Sequence, residues 1–191
     1  MLDLLSMTRT PCLWIALIVS TAYSCAAGPG PLDVCQILSN IDRYRDQMVV
    51  VRGVLAGGVR HGYVLEDSKT GGECPSVQRQ GFAWPADIAV EQFSPGSEIE
   101  DGPVNFSSDS DEIERQLAAP KRLARRDKDL VIVATVEGLL RSRRGIRIFK
   151  SEDGWYAGDG YGQSGQYPAM LVLRTIKDAK AEKSHAKARS R

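Results

Sequence analysis

Four cysteines, at positions 12, 25, 35 and 74, and two histidines, at 61 and 185, supply the soft-ligand and nucleophile chemistry of this chain. Cys12 opens the apolar run Cys12-Leu-Trp-Ile-Ala-Leu-Ile-Val-Ser-Thr-Ala22, which has the length of an export signal and is too short to span a bilayer as a permanent helix. The run ends in Ala22-Tyr23-Ser24-Cys25-Ala26-Ala27. A small residue followed by cysteine is the pattern of a lipoprotein signal, so Cys25 is the candidate lipidation site. Ala22 stands where such signals usually carry Leu. Cleavage after Ser24 or Ala27, with simple secretion, is the alternative. With Cys12 lost in the signal and Cys25 acylated, Cys35 and Cys74 remain as an even pair in an oxidising compartment, and one disulfide is expected. A metal site of Cys35, Cys74 and His61 would lack a fourth ligand and any Cys-x-x-Cys spacing, so neither metal nor cofactor is expected.

The remaining reactive side chains make no recognisable catalytic set. His61, beside Gly62 at the start of a strand, reads as an exposed loop residue rather than a base. No nucleophile elbow, zinc-protease motif, Walker loop or dinucleotide fingerprint occurs, so the chain is not expected to be an enzyme. Asp109, Asp111 and Glu112 lack the order of a calcium loop and suit the start of a helix, where acids complement the dipole. Two clusters suit binding. Trp155, Tyr156, Tyr161 and Tyr167 lie in the Gly-rich stretch 154–167, as ring-stacking platforms or as rings that plug and pair within the fold. Arg141, Arg143, Arg144 and Arg147 precede them, as an anion-binding cluster or as a solvated hairpin tip.

These residues need a scaffold, and the pattern predicts one. Hydrophobic content of 42% and charged content of 26% in 191 residues suit one globular domain after a signal, and a net charge of +1 excludes a surface built wholly for nucleic acid. The expected organisation is a signal at 1–24 (with Met7 as the start that frees Arg9 from Asp3), a tether at 25–32 and one domain at 33–176. An acidic loop insertion at 91–110 lies within that domain, and a basic disordered tail fills 177–191. Asp33 with Gln36 makes a capping box before Val34, Ile37, Leu38 and Ile41. Met48 to Ala56 is the clearest strand, with Gly53 at a bend that a larger residue would crowd, and Val59 to Glu66 returns from it as a hairpin. A third strand is expected within Gly81 to Val90. A second helix starts at Ser108 and is split or kinked by Pro120, and further strands lie at Leu130 to Leu140, Ile146 to Phe149 and Met170 to Ile176. Three strands, a helix and two strands is the order of an OB-fold. The expected fold is therefore mainly β with two helices, a five- to six-stranded OB-like barrel, closed or partly open.

Cys35 on the first helix, Val49-Val50-Val51-Arg52-Gly53, Cys74 and the run Gly160-Tyr161-Gly162 through Tyr167-Pro168-Ala169 resemble a group of small bacterial secreted or lipid-anchored domains with OB-like barrels. The resemblance implies the fold and carries no activity with it. The expected function is a non-catalytic, envelope-associated binding domain. The alternative is an OB module for oligosaccharide or nucleic acid that uses the Gly/aromatic stretch 154–167 and the Arg cluster 141–147. Expected partners are an envelope protein or an anionic envelope polymer or lipid, with membrane contact through Cys25 if it is acylated, and not genomic nucleic acid. The expected location is the periplasm, free or anchored on the periplasmic side of a membrane, with secretion as the alternative.

Overall fold

The β-branched run that opens at Met48 becomes one wall of a closed barrel in the computed structural model, which describes residues 30–184 apart from 59–61, 68–71, 80, 94–95, 97, 100–101 and 163. The first elements in chain order are α1 (Val34–Ser39), α2 (Ile41–Tyr44), β1 (Met48–Gly58), β2 (Gly62–Glu66), β3 (Glu73–Arg79), β4 (Phe82–Pro85) and β5 (Asp87–Glu91). They are followed by β6 (Glu98–Ile99), β7 (Gly102–Pro103), α3 (Ser110–Arg126), β8 (Leu130–Arg141), β9 (Ile148–Lys150), β10 (Tyr156–Gly158) and β11 (Met170–Lys183). Five strands close the barrel in the order β1-β2-β5-β11-β8. All neighbours are antiparallel except β5 and β11, which run parallel. With α3 between the third and fourth barrel strands, the architecture is that of an OB-like barrel.

Alternation along the strands fills the barrel. Val51, Leu55, Leu65, Ile88, Val136, Leu171, Leu173 and Ile176 point inward and are buried, and Ile37 and Leu38 of α1 and Ile113 and Leu117 of α3 pack into the same core. Gly53 is buried in this wall because a Cβ there would sit 2.6 Å from the Glu66 carbonyl oxygen and 3.1 Å from the Leu65 side chain. Close approach of β2 therefore demands glycine at that position. The outward residues Ala89, Met170 and Val172 form a second cluster with Val104, Tyr161, Phe93, Ile99 and Phe106. The acidic insertion thus covers one outer face of the barrel.

Several elements depart from the sequence pattern. The first helix divides at Asn40 into α1 and α2, so the described residues hold three helices rather than two. Asp109, and not Ser108, caps α3 by accepting from the Glu112 amide, while the Ser108 hydroxyl donates to the Leu173 carbonyl. Pro120 does not split α3. It falls on the buried face with Ile113 and Leu117, and packing of that face outweighs the lost backbone hydrogen bond. The third strand is broken at Ala86 into β4 and β5, and β4 pairs with β3 where only a turn around Cys74 was expected. The last strand runs on through Lys177 to Lys183, pairing with Leu130 to Thr135 of β8 across one register shift between Lys177 and Lys180, so this part of the basic tail is ordered by the ladder rather than by its own weak strand propensity. Leu32, expected in the tether, forms a bridge beside β1 through Leu32 N–H to Val50 O and Arg52 N–H to Leu32 O. The signal and its Met7 start, Cys25, His61 and residues 185–191 lie outside the described residues.

Candidate functional site

The connection between β8 and β11, residues 142–169, carries most of the side chains that the sequence singles out. It rises into a hairpin in which Lys150 pairs with Tyr156 and Phe149 with Ala157, and the Ser151 amide to the Trp155 carbonyl adds a further rung. Alternation gives the hairpin two faces. Ile148, Lys150 and Tyr156 form the inner face, where the Tyr156 hydroxyl donates to Glu73 Oε1 at 2.9 Å and the Lys150 ammonium reaches the same oxygen at 2.6 Å. Phe149 and Trp155 share the outer face, 50% and 74% exposed. Burial and the Glu73 hydrogen bond raise the Tyr156 phenol, so it stays a donor throughout the physiological range. Hydrogen bonds from Lys150 and Tyr156 hold the Glu73 carboxyl below the usual range.

The glycines after the hairpin are close-packed backbone. A Cβ on Gly158 would overlap the Arg147 carbonyl, one on Gly165 the Gly158 carbonyl, and one on Gly160 the Tyr167 carbonyl. Tyr161 and Tyr167 pair through two backbone hydrogen bonds, Tyr161 is buried, and Tyr167 packs beside it in the outer cluster. The four aromatic residues therefore do not line one groove. Tyr161 and Tyr167 belong to packing, Tyr156 to the clasp on Glu73, and Trp155, with Phe149, to solvent.

The arginines divide in the same way. Arg141 is buried, with one guanidinium nitrogen 2.5 Å from Asp46 Oδ1 and another 3.1 Å from the Pro103 carbonyl. Arg143 lies over the Tyr161 ring at 5.0 Å from its centroid. Arg144 is exposed in the turn before β9, and Arg147 pairs with Asp159. Cys35 and Cys74 are joined as a disulfide with their Cα atoms 5.4 Å apart, which ties α1 to β3.

One pair of residues escaped the sequence reading. Glu66 closes β2 and Asp87 opens β5, directly opposite one another on the outer face of the second and third barrel strands. Among the described residues neither carboxylate has an ion pair or hydrogen bond. Burial, with the Glu66 charge opposite, pushes Asp87 up to about 7, and burial also pushes Glu66 up. The Asp87 charge acts on both Tyr156 and Tyr167, and the Glu66 charge acts on Tyr167. Phe149 was missed as well, because it only ends the short strand Ile146 to Phe149 in the sequence pattern. No protein family, curated protein or solved structure matches the chain.

Proposed function

We propose that the domain is a non-catalytic, envelope-associated binding module whose ligand is a ring-bearing, uncharged molecule of the oligosaccharide class. The carrying observation is the outer face of the β9–β10 hairpin, where Trp155 and Phe149 stand exposed on a clasped, otherwise packed scaffold. Exposed aromatic faces on a held backbone stack on sugar rings at small entropic cost. In OB-folds, the faces of the second and third strands and the connection between the fourth and fifth serve ligands, and this hairpin is that connection. Electrostatics select among ring-bearing ligands. Lys150, Arg141 and Arg147 are paired with Glu73, Asp46 and Asp159, which leaves Arg144 as the unpaired cation of this connection among the described residues, an arrangement that suits hydroxyl groups better than a polyphosphate. The export signal, lipid attachment at Cys25 and an envelope location belong to the same proposal, supported by a disulfide of the kind that persists in oxidising compartments.

Titration of the protein with neutral cell-wall oligosaccharides, followed by tryptophan fluorescence, tests the assignment. Saturable quenching that is insensitive to salt and absent in Trp155→Ala is the expected result. Binding of oligothymidylate with a steep salt dependence, and none of the sugars, overturns it. The raised Asp87 opposite Glu66 favours a second reading, an acid/base carboxylate pair that cleaves glycosidic bonds, and release of reducing ends lost in Asp87→Asn marks that outcome.

A further inference from the structure

Among the described residues, a group of cationic residues without partners lies away from the hairpin, on α3. Its exposed face carries Arg122, Arg125 and Arg126, and among the described residues none of them has an ion pair or hydrogen bond. Together with Glu114, Ala118 and Lys121 they line a groove of about 580 Å³ along the helix. Lys121 donates to the Tyr63 hydroxyl at 2.9 Å and pairs with Glu114 at 3.3 Å, so the free charge in the groove is that of the arginines. The chain then turns through Lys128 into β8, whose first residue, Leu130, pairs with Lys183, and the Ser184 amide bonds to the Asp129 carbonyl. Lys128 and Lys183 therefore extend the same pole, against Asp127 and Asp129 in the turn.

The helix dipole explains cations in the last turn, Arg125 and Arg126, but not Arg122. Nor does it explain Leu123, which is 46% exposed on the flank of the arginine face, beyond Arg126. A soluble acidic polymer would neutralise the arginines and leave Leu123 in water. A bilayer rich in anionic headgroups meets both demands, with phosphates against the guanidinium groups and the acyl boundary against Leu123. We infer that this face of α3 is a docking surface for an anionic lipid membrane. The inference goes beyond the oligosaccharide reading and uses no residue of the hairpin.

The test is co-sedimentation of the full chain with phosphatidylcholine vesicles and with vesicles containing phosphatidylglycerol. Comparison of the two removes any attachment through the N-terminal segment. Phosphatidylglycerol is expected to raise the bound fraction at low salt. Arg122→Gln, Arg125→Gln and Arg126→Gln combined should lower the partition coefficient on those vesicles about a hundredfold, with unchanged circular dichroism and unchanged binding to phosphatidylcholine. Leu123→Ser should lower it by a smaller factor, and Trp155→Ala should leave it unaltered. Equal partitioning of the triple variant and the wild type overturns the inference. So does binding to soluble polyglutamate that matches the vesicles and is indifferent to Leu123→Ser, which would assign the face to an acidic polymer.

Discussion

Two of the connections that leave the barrel fold into ribbons that meet, β3–β4 between β2 and β5 and β9–β10 between β8 and β11. The ribbons touch through Glu73, and each carries one tryptophan, yet they are built for opposite ends. The β3–β4 ribbon is stapled to α1 by Cys35–Cys74 and by a 2.9 Å hydrogen bond between Ser39 and Ser76, and it buries Val77 and Trp84, the latter only 4% exposed beneath the Arg79 guanidinium. The β9–β10 ribbon has no covalent tie, is held by hydrogen bonds and half-exposed ion pairs, and turns Trp155 outward. A ring sunk in a stapled ribbon contributes to stability, whereas a ring left in water on a clasped one is available to a ligand.

The contrast breaks first at the disulfide. Cys35 and Cys74 are 39 residues apart, and opening a loop of that length removes about 4 kcal/mol in the chain-entropy account. Cys35→Ser with Cys74→Ser should therefore give the largest loss in a denaturant titration, while oligosaccharide binding by the molecules still folded persists. Next come the tryptophans. Trp84→Ala should cost about 3 kcal/mol, since it empties a buried site, and Trp155→Ala less than about 0.5 kcal/mol. Thermal melts of the two variants read this directly. Similar losses in both would mean that the two ribbons serve the same purpose.

A pH series sharpens the comparison at the place where the ribbons meet the barrel. Asp87 follows β4 after Ala86, and its carboxyl is raised from 3.8 to about 7 by burial and by Glu66. Between those values the native state holds a proton that the unfolded chain has released, so stability falls as pH rises through the window and is greatest near its acid end. The expected loss is at most about 1.4 kcal/mol for each pH unit of the window, and Asp87→Asn should flatten the profile. Stability that rises over the same window in the wild type would show the pair to be compensated by a cation.

Most of the barrel was legible because its signals are local. Val49 to Gly53, Leu130 to Leu140 and Met170 to Ile176 are β-branched or aliphatic at the period of a strand, and the Asp33–Gln36 capping box is formed as the residues predict. What stayed hidden depends on contacts between distant segments. Lys177 to Lys183 has no strand preference of its own and is a strand only because β8 lies beside it. The arginines at 141–147 and at 122–126 look alike in the sequence. Only the fold brings Asp46 and Pro103 to Arg141 and leaves Arg122 without a partner among the described residues. Glu66 and Asp87 became a pair through strand register, which the intervening residues do not announce.

The smallest expected effect concerns the clasp between the ribbons. Glu73 accepts from Lys150 and Tyr156, and these bonds hold its carboxyl below the usual range, so what the clasp contributes is present above the unfolded value of 4.5 and is lost as pH falls beneath it. Both ends of the ion pair are about two-fifths exposed, and solvent screening limits the contribution to about 0.5 kcal/mol. Glu73→Gln should therefore leave the melting temperature almost where it was. The loss should instead be local. The inner face of β9–β10 would no longer be held, amide exchange at Lys150 and Tyr156 should quicken, and Trp155 should gain motional freedom in fluorescence anisotropy while Trp84 keeps its own. Affinity for an oligosaccharide should drop, because a stacking ring on an unheld hairpin must be ordered when the ligand arrives. A melting temperature lowered as far as in Trp84→Ala would show instead that β9–β10 is as structural as its neighbour, and the division of labour between the ribbons would fall with it.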